Sequence, residues 1–225
     1  MHTEKKAATE PLSRNVAWDC LTGQVLSFRE YTDLEFCRGE MIEIRFHGMG
    51  GQGAVMGALI LAEAAFSEGK YAQKIPVYGG MRRGGDVTVF LRLDDKPIRR
   101  TCGIYEPDAL VVLDPTLTGQ GGVTQGLKKG GTVVLNDPRK PKEVDLGVKL
   151  RKVATLDATA MSAELFGARA IPITNTIMLG AIAKATEWVE LESLMGPIKH
   201  AFPGRLGEMN VAACRRGHDA VEVAG

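Results

Sequence analysis

The run from Ile42 to Gly53, which reads IEIRFHGMGGQG, constrains this chain more than any other stretch. A short strand pattern breaks into the glycines Gly48, Gly50, Gly51 and Gly53, and a helix pattern follows directly. Glycine lets the backbone approach a ligand closely, and a helix N-terminus presents unpaired N–H groups with a partial positive charge. The run therefore predicts a strand, a tight turn and a helix end that together suit an anion.

The glycine spacing also satisfies G-x-G-x-x-G, the dinucleotide fingerprint. A nicotinamide site needs an acidic residue at the end of the second strand, to hold the adenosine ribose. The next strand pattern, Lys74 to Tyr78, contains no acidic residue, and Asp86 only opens the strand after it. A phosphorylated ribose would instead need a basic residue, for which Arg82 or Arg83 could serve. The residues alone leave open nucleotide binding and a purely structural tight turn.

Composition excludes several classes of function. The chain has 225 residues, 44% of them hydrophobic and 24% charged, with a net charge of +1. This is the balance of a soluble globular protein, and it predicts neither a nucleic-acid nor a membrane partner. No apolar run approaches the roughly 18 residues that span a bilayer. The polar first residues lack the apolar core of a secretory signal, so we expect a cytoplasmic protein.

No complete catalytic or metal centre emerges from the residue pattern. None of the four cysteines forms a C-x-x-C pair, so we interpret them as reduced, mostly buried thiols and expect no metal or iron–sulfur cluster here. His47 precedes the glycine turn, but a single histidine in that place is more often structural. The chain therefore resembles a part of an enzyme that lacks the reacting groups of a complete one. The cysteines are Cys20, Cys37, Cys102 and Cys214.

From residue 42 onward, strand patterns alternate with helix patterns. This alternation predicts an α/β fold of the Rossmann-like kind: a mostly parallel sheet with helices on both faces, a helical C-terminal part and an extended N-terminal arm. Ligands in such folds gather at the carboxyl ends of the strands. The predicted strands begin at residue 42 and cover 74–78, 86–93, 109–113, 132–136 and 152–155; the predicted helices cover 55–66, 116–128, 158–167, 174–185, 191–201 and 208–217.

We expect two parts in the chain, an arm over residues 1–40 and an α/β domain over residues 41–225. Apolar residues in the arm are scattered without a sustained period, so it cannot fold alone. It is either a mobile tail or an arm that packs on partner subunits. Trp18, Phe28 and Tyr31 would anchor it in the second case, because aromatic residues are depleted in truly disordered tails.

A second notable stretch is the loop VYGGMRRGG, residues 77–85, in which glycine pairs flank two arginines. Arg82 and Arg83 on such a loop could reach an acidic group, since the arginine fork donates paired hydrogen bonds to phosphate or carboxylate. The alternative is a solvated loop or an intersubunit ion pair. The basic residues Lys96, Arg99 and Arg100 that follow predict a solvated or partner-facing edge.

The ordered motifs over about residues 41–220 resemble the gamma subunits of 2-oxoacid:acceptor oxidoreductases, the enzymes that decarboxylate pyruvate, branched-chain, aryl or dicarboxylic 2-oxoacids. The loop YGGMRRGGD departs from the commoner family pattern, because Met81 replaces an acidic residue and Gly85-Asp86 replaces a small residue and proline. This departure leaves the identity of the 2-oxoacid open. The motifs are GMGGQG, EGKYAQ, RRG, IYEPDALVVLDPTL, NTIMLGA, LESL and Met209-Asn210 with Gly217.

The resemblance implies a function for the chain and a location for the cofactors. The enzyme would convert a 2-oxoacid and coenzyme A to acyl-CoA, carbon dioxide and a reduced carrier. Thiamine diphosphate, Mg and [4Fe-4S] clusters would lie in alpha, beta and delta-type partner subunits, and electrons would pass to ferredoxin or an NAD-linked flavoprotein. The gamma subunit would flank the active site and help bind coenzyme A at its surface.

The cofactor-binding residues expected on this basis surround the glycine turn and the arginine loop, and no catalytic or metal-binding residue is expected in this chain. Two other interpretations stay open: a free-standing NAD(P)-binding oxidoreductase domain and a purely architectural subunit. The expected residues are Gly48, Gly50, Gly51, Gln52, Gly53, Tyr78, Arg82, Arg83, Gly84, Thr174 and Asn175.

Overall fold

A computed structural model of the chain describes residues 16–18, 25–27, 41–78, 85–118 and 122–225. Contacts divide the chain into two compact units, Met1–Glu40 and Met41–Gly225. In the first unit, strands β1 (Val16–Trp18) and β2 (Val25–Ser27) pair antiparallel. Of the predicted anchors, Phe28 and Tyr31 lie outside the described residues, and Trp18 is described by its backbone alone. That the arm packs on partner subunits stays a prediction.

The second unit is built on a seven-stranded sheet. Its strands occur where alternating or continuous apolar runs are bounded by glycine, proline and aspartate. They are β3 (Ile42–Met49), β4 (Tyr71–Tyr78), β5 (Asp86–Asp94), β6 (Ala109–Val112), β7 (Thr132–Asn136), β8 (Lys152–Leu156) and β9 (Glu222–Ala224). The α-helices are α1 (Ala54–Ser67), α2 (Ala158–Phe166), α3 (Asn175–Thr186), α4 (Met195–Ala201) and α5 (Arg205–Ala220).

The strand order in the sheet is β4-β5-β3-β6-β7-β8-β9. Neighbours from β3 to β8 pair parallel, while β5 is antiparallel to both β3 and β4, and β9 is antiparallel to β8. Because two successive reversals restore the direction, β4 points the same way as β3. Five of the seven strands therefore run in one direction, and the predicted mostly parallel α/β class is confirmed.

The first crossover differs from that of a dinucleotide-binding unit. There, the strand after the first helix lies directly beside the first strand. Here β4 and β5 form a hairpin, and β5 occupies the place next to β3. The end of β4 is consequently one strand further from the glycine turn than the nicotinamide interpretation requires.

One face of the sheet is covered by the α-helices. Helix α1 packs against β3, β4 and β5, and helix α3 packs against β7 and β8. Helix α5 packs mainly against α3, and their backbones approach closely at Gly180 and Gly217: a β-carbon on Gly180 would lie 1.9 Å from the carbonyl oxygen of Cys214. The main apolar core lies between the sheet and these helices, with Ile44, Phe46, Leu61, Leu91, Val111, Val134, Ile177 and Leu179 among its members.

The other face, which we call the second face, has a thinner cover. Above β6 and β7 lies a smaller cluster that includes Leu110, Leu117 and Leu127. The α-helix predicted over residues 116–128 is wrong, because the described part of that stretch is a 3-10 helix, Pro115–Leu117, followed by turns over residues 122–127. A 3-10 helix tolerates the proline and ends at a glycine-rich stretch, GQGG, that disfavours continued helix. A second 3-10 helix, Pro141–Glu143, also lies near this face, against β8 and β9.

Candidate functional site

The glycine turn is a tight connection between β3 and α1. Gly51 and Gly53 have φ angles of 109° and 84°, a left-handed conformation that residues with a β-carbon adopt at a cost. Gly53 is the N-cap of α1, and its missing side chain provides no cap hydrogen bond. The first turn of α1 contains no acidic residue. The positive end of this helix is therefore not neutralised by its own side chains.

Gln52 folds back beneath the turn and is only 3% exposed. Its Oε1 accepts a hydrogen bond from the N–H of Met49 at 2.8 Å, and its Nε2 donates to Oδ2 of Asp114 at 2.5 Å. Asp114 lies two residues after the end of β6, the parallel neighbour of β3. The side chain of Gln52 thus joins the ends of the two strands.

The space beside Gly48 is tight. A β-carbon on Gly48 would lie 3.3 Å from Oε1 of Gln52 and 3.4 Å from Cβ of Leu113. A β-carbon there would require its neighbours to move by a few tenths of an ångström, so packing favours a small residue at this position.

The N-terminus of α3 lies against the turn. A β-carbon on Gly53 would lie 2.5 Å from Nδ2 of Asn175, and one on Gly57 would lie 3.6 Å from Cβ of Asn175. The hydroxyl of Thr174, the N-cap residue of α3, is buried and has no hydrogen-bond partner. As in α1, the first turn of α3 has no acidic residue. Two helix N-termini therefore meet at the glycine turn.

Ile171 supplies an apolar side chain to the same corner. A β-carbon on Gly51 would lie 3.0 Å from its Cδ1 atom, and the side chain is 44% exposed. Gly51 is itself exposed. The surface around Gly51 thus combines backbone groups of the turn with an exposed aliphatic side chain.

The segment VYGGMRRGG, residues 77–85, which we call the arginine loop, connects the end of β4 to the start of β5, at the same end of the sheet as the glycine turn. The N–H of Gly50 donates to the carbonyl of Gly85 at 2.9 Å, and Val87 pairs with both Gly48 and Tyr78. The predicted site residues Arg82, Arg83 and Gly84 lie outside the described residues, and Tyr78 is described by its backbone alone.

His47 lies beside the turn but points to the second face. Its Nδ1 lies 3.4 Å from Oγ1 of Thr88, and its Nε2 is buried without a partner. Burial, together with the nearby charge of Arg45, lowers the pKa of His47 to about 4. The side chain is therefore neutral at physiological pH. Arg45 donates from Nη2 to the carbonyl oxygens of Val123 and Gln125, at 2.8 and 2.7 Å, and so holds the 122–127 turn on the sheet.

The polar residues at the end of β7 have structural partners. The Nδ2 of Asn136 donates to the carbonyl of Leu113 and to Oγ1 of Thr159, at 2.8 and 2.9 Å. Hydrogen bonds from the Arg139 guanidinium lower the pKa of Asp137. These contacts explain both side chains without a ligand.

Cysteine and metal chemistry find no support in the described part of the chain. No group of three or more histidine, cysteine, aspartate or glutamate side chains there could hold a metal ion. Cys214 is buried, as predicted, and burial raises the pKa of its thiol to about 12. Cys102 is exposed, so the prediction of a buried thiol is wrong for this residue. Within the described residues, no helix is long and apolar enough to cross a membrane.

Comparison with known proteins decides the family. Residues 43–220 match the family described as pyruvate ferredoxin/flavodoxin oxidoreductase. The chain belongs to this family. It is 52% identical over 185 residues to the common gamma subunit of the pyruvate/ketoisovalerate oxidoreductases of Pyrococcus furiosus, a match that covers 81% of this chain and 98% of the relative.

A second relative and a solved structure indicate the kind of subunit to which this chain corresponds. The gamma subunit of the NADH-dependent phenylglyoxylate dehydrogenase of Aromatoleum evansii is 44% identical over 184 residues, with 81% of this chain and 95% of the relative covered. The crystal structure of the pyruvate oxidoreductase subunit PORC of Thermotoga maritima superimposes with a TM-score of 0.71 at 32% identity, covering 83% and 99% of the two chains. The resemblance inferred from the motifs is confirmed, and the chain is a gamma-type subunit of a multi-subunit 2-oxoacid oxidoreductase.

In this gamma-type subunit, six of the predicted site residues meet in one place. They are Gly48, Gly50, Gly51, Gln52, Gly53 and Asn175. Thr174 adjoins this group because it directly precedes Asn175 in the chain. Two contributors were missed, Asp114 and Ile171. Asp114 could have been found from its position at the carboxyl end of a predicted strand, since ligands in such folds gather at these ends. Ile171 lies in an irregular segment whose sequence gives no such signal. Ligand binding by any of these residues stays a prediction.

Proposed function

We propose that this chain flanks the active site of a thiamine diphosphate- and iron–sulfur-dependent 2-oxoacid oxidoreductase and binds the phosphates of coenzyme A at its glycine turn. The assembled enzyme would convert a 2-oxoacid and coenzyme A to acyl-CoA and carbon dioxide. Alpha, beta and delta-type partner subunits would carry thiamine diphosphate, Mg and the [4Fe-4S] clusters, since the described part of this chain offers no cluster of metal ligands.

The observation that carries the coenzyme A proposal is the meeting of two helix N-termini, although at α3 the Oδ1 of Asn175 accepts from the N–H of Thr176 at 2.9 Å. Neither α1 nor α3 has an acidic residue in its first turn or a side-chain hydrogen bond from its N-cap. The N-terminal N–H groups and the helix dipole favour a negatively charged group at such a place. The buried hydroxyl of Thr174, which has no partner, could donate to a phosphate oxygen.

The roles of this chain's residues in such a site would be binding and orientation. Backbone groups around the exposed Gly51 would contact the phosphates, and Ile171 would contact an apolar part of the ligand. Arg82 and Arg83, on the loop tethered at the same edge, would supply charge-assisted hydrogen bonds. The thiol of coenzyme A, when bound, accepts the acyl group at cofactors held by partner subunits.

A matched pair of substitutions tests this proposal in the assembled complex. Gly51→Asp and Gly51→Asn introduce side chains of nearly equal size with the same backbone strain, and they differ by one negative charge. We expect Gly51→Asp to raise the Michaelis constant for coenzyme A about tenfold more than Gly51→Asn does, which corresponds to about 1.4 kcal/mol of binding free energy. Equal constants for the two variants would contradict coenzyme A binding at the turn.

The arginine loop is tested separately. Arg83→Ala should raise the Michaelis constant for coenzyme A severalfold, whereas Arg99→Ala, at an exposed position outside the loop, should leave it unchanged. If both substitutions act alike, only the general charge of the subunit matters and the loop has no specific role.

A purely architectural subunit is the second candidate, because the left-handed backbone and the close contact with Asn175 explain Gly53 without a ligand. In that case both Gly51 variants would impair assembly and leave the Michaelis constant for coenzyme A unchanged. The NAD(P)-binding alternative is less well supported, since β5 separates β4 from β3. Titration of the isolated chain with NADH and NADPH should show no micromolar binding.

The electron acceptor is also a proposal. Ferredoxin is the expected acceptor, and an NAD-linked flavoprotein is the alternative suggested by the NADH-dependent relative. Assays of the purified complex with ferredoxin and with NAD as the sole acceptor distinguish the two.

A further inference from the structure

The side chain of Gln52 requires two different hydrogen-bonding partners at once. The N–H of Met49 requires an acceptor, and the carboxylate of Asp114 requires a donor. A primary amide provides both from one planar group, whereas a carboxylate provides acceptors only. Gln52 is 3% exposed, so water cannot replace either partner easily.

Asp114 divides its two oxygens between the turn and its own strand end. Oδ2 accepts from Nε2 of Gln52, and Oδ1 accepts from the backbone N–H and the hydroxyl of Thr116, at 2.9 and 2.5 Å. The bonds to Thr116 fix the orientation of the carboxylate, because Asp114 is the N-cap residue of the 3-10 helix Pro115–Leu117. The carboxylate therefore reaches Gln52 from a fixed position.

We infer that Asp114 is the positioning residue of the glycine turn: it selects the orientation of the Gln52 amide and so holds the turn in its ligand-binding shape. With Oε1 bonded to Met49, the backbone between Met49 and Gln52 closes on itself, and the N–H of Gln52 donates to the carbonyl of Met49 at 3.1 Å. The exposed Gly51 lies within this closed segment. That Asp114 fixes the shape of the turn rests on the hydrogen bonds alone. That this shape matters for binding rests on the proposed coenzyme A site.

The pairing also places the negative charge on Asp114 and not on a residue of the turn itself. The side chain that enters the turn is a neutral amide, and the charge stays on Asp114, where three hydrogen bonds stabilise it. A carboxylate at position 52 paired with an amide at position 114 would keep the same hydrogen bonds and move the negative charge from position 114 to the turn. The exchange thus separates the shape of the turn from its charge.

Four full-length proteins test the inference: the native chain, Gln52→Glu, Asp114→Asn and the double variant. Gln52→Glu alone places two carboxylates in contact, and Asp114→Asn alone leaves one partner of residue 114 without an acceptor. Each should lower the melting temperature by about 3–8 °C. In the double variant, the carboxylate introduced at position 52 accepts from Met49 and from the amide introduced at position 114, whose oxygen still accepts from Thr116.

We expect the double variant to recover at least half of the summed loss in melting temperature. Losses that simply add, or a double variant that fails to fold, would overturn the inference, because the exchanged pair restores every hydrogen bond of the native pair, including both bonds from Thr116. If a single variant does not fold, recovery of folding in the double variant supports the coupling.

The Michaelis constant for coenzyme A in the assembled complex tests the functional part. Asp114→Asn should raise it severalfold with little change in kcat, and the double variant should raise it further despite its recovered stability, because negative charge then enters the turn. If Gly51→Asp raises the constant and Asp114→Asn does not, the positioning role is wrong. If none of these variants changes the constant while the melting temperatures are coupled, the coenzyme A site fails and Asp114 positions the turn for structure alone.

Discussion

The side-chain nitrogen of Asn175 lies 2.5 Å from the point that a β-carbon on Gly53 would occupy. Gly53 also has a φ of 84°, so two separate costs oppose any side chain there. We expect Gly53→Ala to lower the free energy of unfolding by about 2–4 kcal/mol, with about 1 kcal/mol of it from the left-handed backbone and the rest from the clash. Urea denaturation of the purified chain measures the loss.

A double substitution separates these two costs. Asn175→Ala should relieve the clash, so the Gly53→Ala/Asn175→Ala protein should be less destabilised than the sum of the single substitutions. Strict additivity would mean that the amide of Asn175 does not press on a β-carbon at position 53.

The buried His47 predicts a pH dependence of stability. Its pKa is about 4 in the folded chain, compared with 6.5 for an ordinary histidine. The unfolded chain therefore binds the proton more tightly, and the free energy of unfolding should be fully retained above pH 6.5 and fall as the pH drops toward 4. The integrated loss is about 3 kcal/mol, and His47→Gln should remove it from the profile.

The matched control for this profile is His200→Gln, since the side chain of His200 is 84% exposed. Thermal unfolding measured at intervals from pH 4 to pH 7 should show the same slope for this variant as for the native chain. A His47→Gln protein that keeps the full slope would show that another group titrates in this range.

The close approach of α3 and α5 should tolerate no side chain. A β-carbon on Gly217 would lie 2.0 Å from the carbonyl oxygen of Ile177, and backbone cannot rotate away as a side chain can. Gly217→Ala should lower the free energy of unfolding by about 3 kcal/mol or more, because the helices must separate along their whole contact. Thermal unfolding followed by circular dichroism measures this change.

Gly196 offers the opposite case within a helix of the same chain. A β-carbon there meets no atom within 4 Å, so Gly196→Ala should be neutral or stabilise by up to about 1 kcal/mol. Similar losses for the alanine variants of Gly196 and Gly217 would contradict the packing argument.

Arg92 is 1% exposed, and its charge is balanced by Glu43, with Nε and Oε1 at 2.8 Å. Three further acceptors, on Gln73, Cys102 and Gly103, occupy the rest of the guanidinium. Glu43→Ala leaves a buried cation without its counter-ion and should destabilise the chain by about 3 kcal/mol. Chemical denaturation measures the change.

The exposed pair Arg215–Glu192 is the control for Glu43. Its two hydrogen bonds, at 2.7 and 2.8 Å, form a bidentate pair, and both side chains are exposed. Solvent screens such a pair, so Glu192→Ala should change the stability little. Equal effects at Glu43 and Glu192 would show that burial does not decide the contribution of the ion pair.

The sequence predicted most of the fold because most elements carry a local signal. The apolar runs at β6 and β7 end in Asp114-Pro115 and Asn136-Asp137. These residues predict where both strands stop and which polar groups lie at their carboxyl ends. The position of β5 had no such signal, since a strand pattern does not show whether its neighbour is the preceding strand or an earlier one. The terminal strand β9, three residues long, is too short to be recognised from periodicity.

The candidate site was predicted only in its local part. The glycines and Gln52 are adjacent in sequence, so their spacing identified them together. The partner of Gln52, Asp114, is 62 residues away, and only the parallel pairing of β3 with β6 brings it into reach. The helix predicted over residues 116–128 does not form in the described residues, where Leu117 and Leu127 pack on the sheet from a 3-10 helix and from a later turn.

The place of β5 between β4 and β3 has a consequence for the order of folding. The β4–β5 hairpin closes a short loop, whereas the attachment of β5 and β6 to β3 closes much longer ones. Two hydrogen bonds of the turn depend on these attachments, which lie on opposite sides of β3. The bond from Gly50 to Gly85 requires β5 in place, and the bond from Gln52 to Asp114 requires β6. The glycine turn should therefore reach its final shape only after both attachments have formed, so that a formed turn indicates that β5 and β6 are already paired with β3.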